Sequence, residues 1–180
     1  MADLFFKENG EKKVVYKTPI FDVIEQEKLT PDNKEFKGVT VKAPDWVSAV
    51  VFAYGKYILV RQFRHGVNKV LIEFPCGQVE ENETPLQAVL RECREEIGLK
   101  EEDVISIKKL WEANPNPAFM ENKMTCYYIE ADRLSEKQRL DGNEFLDIDY
   151  YSKEEVDKII KAPKTSAMMK LAWASTLQNS

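Results

Sequence analysis

The stretch GQVEENETPLQAVLRECREEIGL, residues 77–99, combines a glycine turn, an acidic run and the signature of a short helix. Thr84 is a favourable N-cap, Pro85 suits the first helical position, and Gln87 lies where a capping box requires glutamine or glutamate. Gly98 then supplies a left-handed C-terminal stop. The spacing therefore predicts a helix that begins after Thr84 and ends before Gly98.

The predicted helix has an apolar face and an acidic face. At about 100° per residue, one apolar stripe contains Leu86, Val89, Leu90, Cys93 and Ile97. The carboxylates of Glu92, Glu95 and Glu96 lie about 120° from this stripe. Their mutual repulsion is tolerable on a solvated face, but a cation would improve their energy near the negative end of the helix dipole.

A run of glutamates is most often solvated surface. Here the glycine turn, the capping box, Arg91 and Glu83 at a defined spacing favour a metal site instead. Because the candidate ligands are hard carboxylate oxygens, with no histidine or thiolate at ligand spacing, we expect Mg²⁺ or Mn²⁺ rather than Zn²⁺.

The segment resembles the Nudix box of hydrolases that act on a nucleoside diphosphate linked to another group. Gly77, Glu83 and the run from Arg91 to Leu99 fill its fixed positions, and Cys93 replaces the usual aliphatic residue. The resemblance implies that Glu92 and Glu96 bind metal directly. It also implies that Glu95 binds metal directly or through water, that the backbone carbonyl of Cys76 completes the ligand set, and that Glu83 and Arg91 form an orienting ion pair.

Composition narrows the class of protein. A chain of 180 residues that is 43% hydrophobic and 32% charged can form one globular domain with a core. Its apolar runs have strand length and its N-terminus lacks a signal-peptide pattern, so we expect a cytoplasmic protein that does not bind membranes. A net charge of −5 without a basic cluster argues against nucleic-acid binding. The three cysteines have unrelated spacings, which predicts buried free thiols.

The order of the remaining elements predicts an α+β fold. Strand-like runs precede and follow the central helix, and Ser152 with Glu155 caps a second helix that is followed by a third from Thr165 to about Leu177. The family resemblance implies an α/β/α sandwich with a mixed β-sheet. We expect residues 1–45 to form a small N-terminal antiparallel β extension used in dimerisation, and residues 46–180 to form the Nudix domain.

Flanking residues resemble the branch of the family that hydrolyses ADP-ribose and related nucleoside diphosphate sugars. The runs VRQFRHG at 60–66 and IEFPCG at 72–77 carry this resemblance, together with Pro115, sixteen residues beyond Leu99. Cys76 departs from the alanine that is usual in this branch. The resemblance implies a homodimer with sites near its interface.

Three further side chains are candidates for substrate binding. Arg64 matches an arginine that contacts the diphosphate, and a guanidinium suits phosphate oxygens. Glu73 matches a carboxylate near the nucleotide or ribose. Trp46 could stack on a nucleobase, although an aromatic residue at a strand entrance is more often part of the core. His65, the single histidine, is interpreted as a structural residue, with a place at the edge of the substrate site as the alternative.

The general base is sought in the loop before the last strand, where this branch carries a glutamate that activates the attacking water. Glu144 is the first candidate, with Asp141 and Glu121 as alternatives, because Gly142 stands where the branch has another acidic residue. Glu144 and Glu95 are the two candidate catalytic carboxylates.

The expected activity is metal-dependent hydrolysis of a pyrophosphate bond, giving a nucleoside monophosphate and a sugar phosphate. Three alternatives stay open: a preference for GDP-mannose, hydrolysis of nucleoside triphosphates, and a non-catalytic module that binds nucleotides or a protein. The last is disfavoured because all four glutamates of the box are present.

Overall fold

The computed structural model of the protein describes residues 4–140, 142, 144–163 and 165–178. Asp141, one of the candidate bases, lies outside the described residues. The chain forms two compact units. The first contains the residues up to Asp45 together with Asn114–Lys123, and the second contains Trp46–Ala113 and the chain from Met124 onwards.

The first unit is an antiparallel sheet of four strands, β1 (Lys7–Glu8), β2 (Lys13–Lys17), β3 (Asp22–Leu29) and β4 (Glu35–Lys42). Strand β3 pairs with β4 along its whole length and also pairs with β1 and β2. The second stretch of this unit is held to the end of β4 and the residues after it. Val41 forms a parallel bridge with Met120, and the side-chain amide of Asn122 donates to the carbonyl oxygen of Pro44.

The second unit contains a mixed sheet. Its strands are β5 (Trp46–Ala53), β6 (Lys56–Arg64), β7 (Lys69–Glu73), β8 (Cys76–Gln78), β9 (Val104–Ala113), β10 (Met124–Ala131) and β11 (Leu146–Tyr151). The order across the sheet is β11-β6-β5-β10-β9, with β7 paired to β6 and β8 paired to β5. Strands β5 and β10 are parallel, whereas the other pairs are antiparallel.

Helices cover both faces of this sheet: α1 (Pro85–Ile97) lies on one face, and α2 (Lys153–Lys161) and α3 (Ala167–Gln178) lie on the other. Successive residues of a strand point to opposite faces. Accordingly Val47, Ala49 and Val51 of β5 pack in the core beneath α1, and Val50 packs with Trp173 of α3. The predicted α/β/α sandwich is confirmed. Within the described part of the chain, no helix has the length and apolar character of a membrane span.

The first two strands of this sheet stay paired only near their turn. Tyr54 and Gly55 adopt left-handed backbone angles, and the β5–β6 ladder extends from Ala53 opposite Lys56 to Val51 opposite Ile58. Beyond this point, β8 pairs with the N-terminal part of β5 and β7 pairs with the C-terminal part of β6. Helix α1 contacts both β5 and β8. The residues that precede α1 in the sequence are thus brought back against its own carboxylate face.

The ends of α1 confirm the sequence analysis. Thr84 accepts a hydrogen bond from the Gln87 N–H, the Gln87 side chain accepts one from the Thr84 N–H, and Gly98 is left-handed with φ 72°. The capping box of α2 at Ser152 and Glu155 is also present. Of the cysteines, Cys93 and Cys126 are buried as predicted and Cys76 is partly buried.

The predicted faces of α1 differ from the structure at two positions. Leu86 was placed on the buried stripe but is 41% exposed, because it lies in the first turn and the core contacts of the helix begin at Ala88. Glu96 was placed on a solvated face but is only 1% exposed. At about 100° per residue, Glu96 lies only about 20° from Val89, so the burial of Val89 carries it inward as well.

We predict that Gly98→Ala destabilises the fold more than Gly55→Ala. Both glycines have positive φ, 72° and 69°, so both substitutions incur the left-handed strain of about 1–2 kcal/mol. At Gly98 a Cβ would also lie 2.1 Å from the carbonyl oxygen of Glu136, whereas at Gly55 nothing lies within 4 Å. Overpacking should add about 1–3 kcal/mol at Gly98. Urea unfolding measures both values, and equal losses would show that the contact with Glu136 is unimportant.

Candidate active site

The carboxylate cluster, which we define as Glu92, Glu95 and Glu96, lies on the C-terminal half of α1. Glu92 lies against the backbone of Gly77, where a Cβ would stand 1.9 Å from the Glu92 carboxyl carbon. A larger residue at position 77 would displace this carboxylate from its position. Gly77 lies in strand β8 rather than in the predicted turn, and this strand packs against α1.

Arg91 connects this cluster to the loop before the helix. Its guanidinium donates to both carboxylate oxygens of Glu83 at 3.0 Å and to the carbonyl oxygen of Gln78 at 2.8 Å. It also donates to Glu92 at 2.9 Å and to Glu95 at 3.1 Å. The hydrogen bonds from Arg91 are the main reason that the pKa of Glu83 is lowered. The guanidinium of Arg91 thus holds the carboxylates of Glu83, Glu92 and Glu95 in a partly buried setting.

Glu96 is the most deeply placed member of the cluster. Its carboxylate accepts a hydrogen bond of 3.0 Å from the N–H of Cys76. Burial, followed by the neighbouring charge of Glu92, raises the pKa of Glu96 well above its ordinary value. Burial is also the main cause of the raised pKa of Glu92. Two carboxylates are therefore held where their ionised form is unfavourable unless positive charge is near.

Arg64 and Glu73 are brought together beside the cluster. Ile58 and Val60 of β6 pack beneath α1, so the alternation of the strand directs Arg64 towards the same face. Its guanidinium donates to Glu73 at 2.6 Å and to the sulfur of Cys76 at 3.1 Å. Burial, with the charge of Glu96, raises the pKa of the Cys76 thiol to about 12, so the sulfur stays protonated.

Glu144 reaches the same region from the loop before β11. The side-chain amide of Gln62 donates to its carboxylate at 3.1 Å. After burial, the charge of Glu144 is one of the causes that raise the pKa values of Glu92 and Glu96. The sequence analysis gave Gln62 no role, although its position two residues before Arg64 on one strand places both on the same face.

The other predicted residues are placed as follows. Trp46 is partly buried at the start of β5, between Gln78 of β8 and Met124 of β10 in the strand register. The alternative base Glu121 belongs to the first unit, where its carboxylate accepts hydrogen bonds from Lys12 and Thr40. His65 makes an edge-to-face contact with Phe63, with ring centroids 5.1 Å apart.

Comparison with known protein families identifies the family to which this chain belongs. Residues 42–171 match the model of the NUDIX domain. The chain belongs to the Nudix family. The matched range contains β8 with Gly77, α1, Arg64 and Glu144, which are the features that build the site.

Individual relatives of this Nudix protein carry different names. It is 28% identical over 153 residues to the ADP-ribose pyrophosphatase of Bacillus subtilis (strain 168), covering 84% of this chain and 81% of the relative. It is 26% identical over 165 residues to the methanol dehydrogenase activator of Bacillus methanolicus, covering 89% and 86%. A solved structure of an ADP compounds hydrolase superposes with a TM-score of 0.83 at 17% identity, covering 98% of this chain and 95% of that one.

The residues at this Nudix site fit a hard divalent cation. The donor set is made of carboxylate oxygens, and two of the carboxylates, Glu92 and Glu96, are desolvated with raised pKa values. Among the described residues, no three acidic, histidine or cysteine side chains already converge as a ready set of ligands. Arg91 draws the oxygens of Glu92 and Glu95 towards itself, while Cys76 holds Glu96. Binding of a cation would therefore be accompanied by rotation of these side chains.

We predict that Arg91→Met is far more destabilising than Arg94→Met on the same helix. Arg91 is 25% exposed and bonds three carboxylates, so its loss should cost about 2–4 kcal/mol, given about 1.5–3 kcal/mol per charge-assisted hydrogen bond. Arg94 is 50% exposed, and among the described residues its guanidinium donates hydrogen bonds only to Glu136. A surface pair of this kind is worth less than about 1 kcal/mol. Chemical denaturation measures both, and similar losses would refute the special role of Arg91.

Proposed function

We propose that this Nudix protein hydrolyses the pyrophosphate bond of nucleoside diphosphate sugars such as ADP-ribose, with Mg²⁺ or Mn²⁺ as cofactor. The observation that carries the proposal is the meeting of desolvated carboxylates, Glu92 and Glu96, with the guanidinium of Arg64 and the carboxylate of Glu144 in one region. The similarity to an ADP-ribose pyrophosphatase over most of both chains supports the substrate class.

The metal ligands in this proposal are Glu92, Glu95 and Glu96, with the backbone carbonyl of Cys76. A divalent cation bound there would neutralise diphosphate charge and lower the pKa of a bound water. Gly77 gives Glu92 the room to face this position. The ion pair of Arg91 and Glu83 holds the loop before α1 against the helix. Gly98 ends the helix directly after the cluster.

The remaining chemistry belongs to side chains of the chain itself. Arg64 would donate to oxygens of the diphosphate, exchanging its present contacts for phosphate. Glu73 would bind the nucleotide or ribose, and Trp46 would stack on the base. Glu144 would accept a proton from the attacking water as the new P–O bond forms and the bridging P–O bond breaks. The products are a nucleoside monophosphate and a sugar phosphate.

The experiment is an assay of monophosphate release from a panel of nucleotide sugars and triphosphates, with Mg²⁺ or Mn²⁺ and after chelation. Cleavage of ADP-ribose over GDP-mannose and over triphosphates supports the proposal. Preferred cleavage of GDP-mannose would change the proposed substrate but not the class of reaction. Failure to bind Mg²⁺ or Mn²⁺ in titration calorimetry, with no turnover of any substrate, would favour a non-catalytic module.

We predict that Glu96→Gln lowers turnover by a factor on the order of 10² or more, the scale of losing one electrostatic group in an active site. The same variant should unfold at an equal or higher denaturant concentration. Because burial disfavours the ionised carboxyl of Glu96, a neutral amide of the same size relieves that cost. Glu154→Gln, on the exposed side of α2, serves as the matched control; it should leave turnover unchanged and lower the unfolding midpoint slightly, because hydrogen bonds in the first turn of α2 lower the pKa of Glu154. An active Glu96→Gln enzyme would remove Glu96 from the mechanism.

We further propose that the first unit mediates a homodimer. The described residues of this unit expose many large apolar side chains, and a monomer rarely leaves such a concentration in water. They include Leu4, Phe6, Val14, Val15, Tyr16, Ile20, Phe21, Phe36 and Val39.

We predict that the protein sediments with twice the monomer mass and that Val15→Glu shifts it to the monomer. The reason is that a charge would be buried in the interface without a partner. Val70→Glu is the control, because Val70 is an equally exposed strand valine in the second unit, at 62% against 53% for Val15. Analytical ultracentrifugation distinguishes the outcomes, and a Val15→Glu dimer would refute this interface.

A further inference from the structure

Two glutamine side chains hold the segment that carries Glu144. Gln62 of β6 donates from its amide to the carboxylate of Glu144 at 3.1 Å. Gln138 donates from its amide to the carbonyl oxygen of Glu96 at 2.7 Å and to that of Leu146 at 3.3 Å. The Gln62 amide therefore contacts the carboxylate of Glu144, and the Gln138 amide contacts the backbone two residues later, at Leu146.

The contact of Gln138 belongs to a larger arrangement at the end of α1. The last carbonyl groups of a helix have no partner within it and must be satisfied from outside. Here the N–H of Arg139 donates to the carbonyl of Glu95 at 2.9 Å, and the N–H of Glu136 donates to the carbonyl of Gly98 at 3.0 Å. Residues 136–139 are thereby fixed to the helix end that carries the carboxylate cluster.

Gln138 extends this attachment to the last strand. Leu146 is buried in the core beneath α1 and lies opposite Gln62 in the ladder between β11 and β6. By bonding the carbonyl groups of both Glu96 and Leu146, the Gln138 amide sets the distance between the helix end and the beginning of β11. The short connection that contains Glu144 is thus anchored at both of its ends.

Electrostatics make such anchoring necessary. Glu144 lies near Glu92 and Glu96, and like charges in a desolvated region repel. This repulsion favours orientations of the Glu144 carboxylate that face away from Glu92 and Glu96. The amide of Gln62 opposes this by offering a donor on the side of the cluster, and as a neutral group it adds no charge.

We propose that Gln62 and Gln138 are positioning residues that hold Glu144 in place for proton transfer. The inference rests on the proposed function, in which Glu144 accepts the proton of the attacking water. Gln62 orients the carboxylate, and Gln138 fixes the backbone that carries it. Neither side chain touches the reacting atoms.

The test is a double-mutant cycle on the full chain, with ADP-ribose and Mg²⁺. Gln62→Met and Gln138→Met keep side-chain length and remove the amide. Each should lower kcat by about 10- to 100-fold, because a misplacement of about 1 Å can cost about 100-fold. KM and the midpoint of a Mg²⁺ titration should change little, since Arg64 and the carboxylate cluster are retained. In a Glu144→Gln background, neither glutamine variant should lower kcat further.

Thr165→Val controls for the loss of a side-chain hydrogen bond to a carbonyl group, because Thr165 donates to Ile159 between α2 and α3 at 2.6 Å. It should lose stability without losing kcat. Gln62 is only partly buried, so Gln62→Met carries the test even if Gln138→Met fails to fold.

Different kinetic results would contradict the proposed function and the positioning role of Gln62 and Gln138. A wild-type kcat in the Glu144→Gln variant would show that Glu144 is not the general base. The positioning role of Gln62 and Gln138 would then be wrong as well. A large loss in Glu144→Gln, combined with wild-type kcat in Gln62→Met, would overturn the inference and leave the proposed function intact. Losses of Gln62→Met and Glu144→Gln that multiply would have the same meaning, since they would show that Gln62 acts independently of Glu144.

Discussion

Glu96 places an ionisable carboxyl group against the protein core, and the surrounding structure is organised around the cost of that burial. A charge removed from water requires compensation from hydrogen bonds or from opposite charge. The N–H of Cys76 supplies one hydrogen bond, and the helix itself cannot supply another. Glu92, four residues earlier on the same helix, adds repulsion rather than relief. Such a site gains stability from a cation, and this connects its folding energetics directly to its proposed chemistry.

The separation of β5 and β6 makes this arrangement possible. If the hairpin had stayed paired along its length, its backbone groups would have left no edge for β7 and β8. Because the strands diverge, Cys76 and Gly77 enter the sheet as β8 beside β5 and present their backbone to α1. The close approach of Glu92 to Gly77 and the hydrogen bond to Glu96 are therefore both consequences of how the two strands diverge.

Local signals in the sequence were sufficient for most of the elements, but the short strands β1 and β8 were not predicted. The capping boxes at Thr84 and Ser152 and the stop at Gly98 depend on neighbours within a few residues, and each is confirmed. The burial of Glu96 was not predicted, because the three glutamates were treated as one acidic face, although Glu96 lies only about 20° from Val89 on the helical wheel. The bonds of Gln62 to Glu144 and of Gln138 to Leu146 depend on the tertiary register of β6, α1 and β11, which no local pattern contains.

The composition of the first unit from two separate stretches has a consequence for how this chain can be shortened. Residues 114–123 leave the second unit after β9 and return to it at β10, and between these points they bond to the residues around β4. Cutting the chain at residue 45 would strip Glu121 of Thr40 and Lys12, and Asn122 of Pro44, and would expose a loop whose partners were gone. A minimal fragment that begins at Trp46 therefore needs a redesigned link between β9 and β10.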